Sequence, residues 1–284
     1  MKKILIPTDF SSTAFNSSVY GLEFAKQTNA EKAILFNAFQ APINVSPDPM
    51  VPSIESFDFD TLRKASSDSL QIFKQNVINK VTGSLTVETL SECCTLVSDI
   101  DSIAKENEAG LIIMGITGSG TMSEIFVGSN SIQVSKHTDV PVLIVPANVT
   151  YKPITNILLV SDYINVSETI PYKEICKLLD ATRAKLTVLH VDEEYLEVEP
   201  ENDIIQKEIL SSMFSGYNVE YFIATNSIFL DAVNEFIEMN KIDLVIAVPK
   251  KYGFPENILH QSVSKTMAFH THIPLILIKP SPIQ

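Results

Sequence analysis

The sequence predicts a doubly wound α/β fold, built twice in tandem. Three observations carry that prediction. Short apolar runs of strand length alternate with amphipathic helical stretches along the chain. The strand runs are apolar at nearly every position, as parallel strands covered on both faces require. Finally, the pattern of the first half returns in the second.

The elements follow in order. Residues 4–7 are β-formers closed by Pro7 and Asp9. In residues 12–28, Phe15, Val19, Leu22, Phe24 and Ala25 recur at helical spacing. Residues 33–39 form the second strand. Residues 40–57, with Pro42, Pro47, Pro49 and Pro52, then read as a lid at the sheet edge or as a long connection. Residues 60–80 predict an amphipathic helix through Leu62, Leu70, Phe73 and Val77. A strand at 86–90, a helix at 99–107, a strand at 111–115, a helix at 129–137 and a strand at 142–145 complete the unit.

The repeat fixes the domain plan. Lys3-Ile4-Leu5-Ile6-Pro7-Thr8-Asp9-Phe10 returns 153 residues later as Asn156-Ile157-Leu158-Leu159-Val160-Ser161-Asp162-Tyr163. Leu111-Ile112-Ile113-Met114 returns only 133 residues later as Leu244-Val245-Ile246-Ala247, and His137-Thr138-Asp139-Val140-Pro141 keeps that offset. The second copy is therefore 20 residues shorter between its second and third strands. The expected domains are 1–148 and 153–284, joined near Asn148–Pro153.

Composition excludes several classes. With 45% hydrophobic and 19% charged residues over 284 positions, the chain can build real cores. A net charge of -13, with only Arg63 and Arg183 among 21 basic residues, leaves no basic stripe for nucleic acid. No apolar run approaches the ~18 residues of a membrane helix. The apolar run after Lys2-Lys3 stops at Pro7, too short for a signal peptide, so the expected location is cytoplasmic. Cys93, Cys94 and Cys176 lack disulfide or metal spacing and read as reduced thiols packed as small apolar groups.

The chemistry concentrates in one loop. Gly115, Gly118, Gly120 and Gly128 crowd together where the fourth strand ends and the helix at Ser129 begins. Such a turn suits an anion, because missing Cβ atoms admit close backbone approach and free N–H groups face the ligand. Ser129, Asn130 and Ser131 add donors at that helix start, although glycines shaping a turn before a capped helix would look the same. No GxxxxGK[ST] loop occurs, and no Lys or Arg lies between Lys105 and Lys136. Holding phosphates is feasible there; fast phosphoryl transfer, which leans on cations, is not. Asp9, just past the first strand, either binds a nucleotide's sugar or base, helps hold a metal, or caps the helix that follows.

On these residues the chain resembles the universal stress protein family. Lys3-Ile4-Leu5-Ile6-Pro7-Thr8-Asp9-Phe10-Ser11, followed by Thr13-Ala14, looks like the opening of such a domain. Gly115, two residues, Gly118, nine residues and Gly128-Ser129 match the G-x2-G-x9-G-[S/T] motif of the ATP-binding members. Pro141-Val142-Leu143-Ile144-Val145 resembles the terminal strand. The resemblance implies five parallel strands per domain, in Rossmann-like order 3-2-1-4-5, with ATP or AMP at the edges of strands one and four. It implies that Asp9 contacts the ribose or adenine end and that backbone at Pro7 and near Ala38 lines the base. Gly115, Gly118, Gly128, Ser129 and Asn130 would hold ribose and phosphates, with Asn130 departing from the small apolar residue common there. Mg2+ is the accompanying ion to test. Family members often pair through the last strand, which implies an internal pseudo-dimer here.

In the second copy the motif is lost: Val248, Lys251 and Gln261 replace Gly115, Gly118 and Gly128, while Asp162 and Ser262 persist. That copy is expected not to bind ATP in the same way. Three function classes follow: a nucleotide-binding stress or signalling protein, which the intact first motif favours; a slow metal-dependent ATPase; and a scaffold with a vestigial site that binds an unknown protein partner. A homodimer through an exposed terminal strand is a further expectation. His137 and His270 repeat at helix ends and read as C-terminal interactions rather than catalysis. The acidic run from Asp192 to Asp203 lacks a calcium-loop pattern and reads as a solvated loop or helix start.

Overall fold

The computed structural model describes residues 2–40, 59–116, 129–192, 200–225, 229–248 and 273–280. The first copy comprises β1 (Lys3–Pro7), α1 (Ser12–Gln27), β2 (Lys32–Phe39), α2 (Phe59–Ile78), β3 (Thr86–Cys93), α3 (Leu96–Glu106), β4 (Leu111–Ile116), α4 (Ser129–His137) and β5 (Val142–Pro146). The second comprises β6 (Asn156–Val160), α5 (Val166–Thr169), α6 (Tyr172–Thr182), β7 (Lys185–Asp192), α7 (Glu201–Met213), β8 (Val219–Thr225), α8 (Phe229–Asn240), β9 (Leu244–Ala247) and β10 (Leu275–Leu277).

Among the described residues ten strands form one sheet in the order β3-β2-β1-β4-β5-β10-β9-β6-β7-β8. Within each copy neighbouring strands are parallel; at the seam β10 runs antiparallel to β5, with Ile276 opposite Leu143. The terminal strands thus satisfy one another inside the chain. That corrects the expectation that either one stands exposed for pairing between chains.

Alternation along the strands feeds two cores. Ile4 and Ile6 pack with Phe24 of α1 and Leu70 and Phe73 of α2 on one face. Leu5 packs with Ile100 and Ile103 of α3 and Val134 of α4 on the other. Both clusters continue across the seam, into Leu178 of α6 and Leu210 of α7 on the first face and Val233 and Ile237 of α8 on the second.

Three elements depart from the sequence reading. The third strand extends to Cys93, paired with β2 along its whole length. The third helix begins at Leu96 rather than Asp99, because the Asp99 carboxylate reaches back to accept the Thr95 amide from inside the first turn (2.8 Å). In the second copy the counterpart of α1 is interrupted: α5 has only four residues, and Pro171 precedes α6. Proline's missing donor suits it to start a helix but not to continue one.

Candidate functional site

Within the first copy the strand order reverses between β1 and β4, the switch point at which doubly wound sheets open a crevice at their carboxyl edge. A cleft of about 470 Å³ opens there. Pro7, Asp9, Ala38, Gly115 and Asn130 all line it, brought together from β1, β2, β4 and α4. Gly118 and Gly128 lie outside the described residues, as does the side chain of Ser129, whose backbone opens α4.

Local chemistry builds each wall. After β1 the chain turns sharply at Phe10, which takes a positive φ of 65°. Two side-chain bonds hold that turn: Thr8 Oγ1 accepts from the Phe10 amide and Asp9 Oδ1 from the Ser11 amide, both at 3.0 Å. The helix cap itself is Ser11, whose hydroxyl accepts from the Ala14 amide (3.1 Å). Asp9 is exposed at the cleft mouth and supplies the one formal charge among the described lining residues.

Behind this turn a buried polar relay crosses the sheet. The Asn37 amide donates to the Thr8 carbonyl (2.7 Å) and its oxygen accepts from Ser66 of α2 (2.7 Å), which also meets Ser91 of β3 (2.5 Å). The carbonyl just before Asp9 is thereby fixed from three elements. Sequence reasoning passed over Asn37, although one polar residue inside the apolar run of β2 was the available signal.

Gly115 also meets a packing need. A Cβ there would stand 2.7 Å from Thr13 Cγ2 and 2.8 Å from the Thr13 carbonyl oxygen. Its missing side chain thus lets α1 close onto β4, which holds Thr13 in the cleft wall. On the other side of the loop the Ser131 hydroxyl donates to the Gly115 carbonyl (2.8 Å), tying the first turn of α4 to the end of β4.

The far wall contains Cys94, Leu96 and Met114. Burial, with Asp99 and Glu92 nearby, pushes the Cys94 thiol up to about 11, so it stays protonated at neutral pH. Cys93 is exposed, which corrects the reading of all three cysteines as packed apolar groups. His137 behaves as expected, its ring nitrogen meeting the Gln133 carbonyl at the end of α4 (2.8 Å).

The second copy repeats the turn and fills its surroundings. Ser161 and Asp162 accept from the Tyr163 and Ile164 amides just as Thr8 and Asp9 do, and Tyr163 also has positive φ (52°). His190 stands where Asn37 stands and bonds the Ser161 carbonyl (2.9 Å). Phe10 is 38% exposed, but Tyr163 is fully buried and stacks on His190 at 4.5 Å. Val248 joins Val166 in the apolar core at the position of Gly115. A separate cavity of about 580 Å³ at the seam, lined by Leu178, Ile276 and Ile278, includes none of the motif residues. Among the described residues no cluster of three or more metal-ligating side chains occurs. No described helix is long and apolar enough to cross a membrane.

Fold and site together define a tandem doubly wound α/β protein with a ligand-sized cleft at the switch point of its first copy. The chain belongs to the universal stress protein family, whose sequence profile matches residues 1–146. It is 28% identical over 148 residues to universal stress protein MJ0531 of Methanocaldococcus jannaschii, spanning 51% of this chain and 81% of that one. A universal stress protein from Archaeoglobus fulgidus shares the fold, with 17% identity, a TM-score of 0.67, and 98% of this chain and 96% of that chain covered. So does the functionally unknown protein PA1789 from Pseudomonas aeruginosa, with 13% identity, a TM-score of 0.61, and coverage of 99% and 93%.

Proposed function

We propose that this chain is a stress-response or signalling protein whose first domain, residues 1–148, binds ATP or a related adenine nucleotide such as AMP. One observation carries the reading: residues far apart in sequence (Pro7, Asp9, Ala38, Gly115 and Asn130) converge on a single cleft. Its volume of about 470 Å³ lies within the ~300–1,000 Å³ typical of small-molecule sites. In this arrangement Pro7 and Ala38 flank the base, Asp9 accepts from ribose or adenine, and the loop from Gly115 through Gly118 and Gly128 to Ser129 and Asn130 receives the phosphates. The domain at residues 153–284 does not bind nucleotide in the same way. Val248 is buried where the first copy has Gly115, and Lys251 and Gln261 replace the other two glycines. The protein holds its nucleotide rather than turning it over quickly, because the loop sequence supplies no Lys or Arg to stabilise developing charge.

Calorimetric titration with ATP, with and without Mg2+, after removal of co-purified nucleotide, tests the proposal. One site per chain is expected. Gly118→Lys, the second copy's own substitution, is expected to abolish that binding while leaving the circular dichroism unchanged. Nucleotide at a hundredfold excess over Kd should also stabilise the fold by about 2.7 kcal/mol. Absence of binding to ATP, ADP and AMP, or full affinity in Gly118→Lys, would overturn the site.

A further inference from the structure

The sheet ends on β3 at one side and on β8 at the other, the same strand of the two copies. Register aligns them closely: Ile34 faces Glu88 and Thr187 faces Glu220. Even their ion pairs correspond, Lys32–Glu88 at 2.6 Å and Lys185–Glu220 at 2.5 Å. Beyond that point the two edges diverge. β3 continues as Thr89-Leu90-Ser91-Glu92, all half-buried, whereas β8 continues as Tyr221-Phe222-Ile223-Ala224, with Phe222 and Ile223 exposed at 38% and 40%. The covering helices differ too. α2 has 20 residues and α7 has 13, a difference of roughly 10 Å of helix at 1.5 Å per residue. Among the described residues β8 pairs with β7 and with no other strand.

An exposed edge rich in β-formers, without proline or lysine, is a template for strand addition; natural edges are blunted by charges, as Glu92 blunts β3 where β8 has Ala224. We infer that β8 is a self-association surface, on which a second copy of this chain lays its own β8 antiparallel across a two-fold axis. Register favours that partner. Glu220 is neutralised within its own chain by Lys185, and an axis centred on Phe222 sets Glu220 opposite Ala224 rather than opposite itself. The same register places Phe222 against Phe222 and Tyr221 against Ile223, the aromatic and β-branched pairs that stabilise antiparallel ladders. β3 of another copy fits worse, because its Glu92 would meet a strand with no Lys or Arg, and such head-to-tail pairing would not close.

Sedimentation equilibrium of the full chain tests this. The 31.4 kDa chain is expected to form a dimer at micromolar concentration. Ile223→Lys should raise the dimer dissociation constant at least tenfold with unchanged circular dichroism, while Thr86→Lys, at an exposed position on the other edge, leaves it unchanged. A monomeric wild type, or an Ile223→Lys variant that dimerises as tightly, would overturn the proposal. Phe222→Cys, in a chain also carrying Cys93→Ser, supplies a readout that does not depend on breaking the interface. Cross-linking between copies at position 222 is expected. A dimer that fails to cross-link there, or assemblies that grow beyond two chains with concentration, would refute the two-fold β8 pairing.

Discussion

At the scale of single residues, Gly115 shows how one atom serves packing and site together. Its strand and α1 approach so closely that the Thr13 carbonyl occupies the space a methyl group would need. Because that obstacle is backbone, it cannot rotate aside, and relief requires moving the helix. Gly115→Ala is therefore expected to cost about 1–3 kcal/mol in urea unfolding, the usual penalty of overpacking. It should also weaken nucleotide binding, since Thr13 and Ala14 would move with α1 in the cleft wall. An alanine variant as stable as wild type would mean that the helix yields at little cost. Ser131 makes the complementary point: its bond to the Gly115 carbonyl sets where the loop leaves β4 and where it rejoins α4.

At the scale of elements, Asp101 is the clearest structural joint. It sits on α3 and accepts from the Thr138 hydroxyl (3.0 Å) and the Asp139 amide (3.1 Å), just past α4, while Lys105 donates to its other oxygen (2.6 Å). Partial burial alone would raise its pKa; the hydrogen bonds from Lys105, the Asp139 backbone and Thr138 outweigh that and hold it below the ordinary carboxylate value. A carboxylate depressed in the folded state stabilises the protein above its unfolded pKa and loses that contribution as pH falls through the folded value. Asp101→Ala should thus cost about 1–2 kcal/mol at pH 7. That difference should shrink as pH falls below about 4, as measured by denaturant unfolding across pH. A gap that persists in acid would assign the loss to packing instead. α1 is a second joint: Asn16 donates to the Val149 carbonyl (3.0 Å), and Gln27 donates to the Ile154 carbonyl (2.8 Å) and accepts from the Ile154 amide (2.9 Å) and the Tyr151 hydroxyl. The helix that begins at the cleft therefore ends by clasping the connection between the copies.

At the scale of the whole molecule, the two copies share one sheet and two continuous core layers. Neither β5 nor β10 would have a second neighbour without the other, and the connection is pinned along α1. Thermal unfolding is accordingly expected in one cooperative transition, with calorimetric and van't Hoff enthalpies in agreement. Two resolved transitions would instead mark copies that melt independently. The net charge of -13 opposes any close approach of two chains, so association along β8 should strengthen as salt screens it.

Much of this was legible in the residues alone. Apolar runs and helical spacing yielded the α/β alternation, since strand and helix periods differ and each is written in local order. The repeat revealed two copies, and the glycine motif pointed to the end of β4 and the start of α4, where Gly115 and Asn130 line the cleft. Less legible were features that depend on distance in space. Asn37, Ser66 and Ser91 belong to one relay only because β1, β2, β3 and α2 are neighbours in the sheet, and their spacing in sequence says nothing of that. The motif spacing likewise says nothing of the packing that Gly115 permits, because α1 meets β4 only in the folded sheet. The sequence by itself determined which segments are strands and helices, and which copy kept its motif, because those depend on side-chain order and type. Only the tertiary structure decided that β5 and β10 close on each other and that β8 is left as the apolar edge. Pairing partners and covering helices are set by the packing of whole elements, not by any one segment's composition.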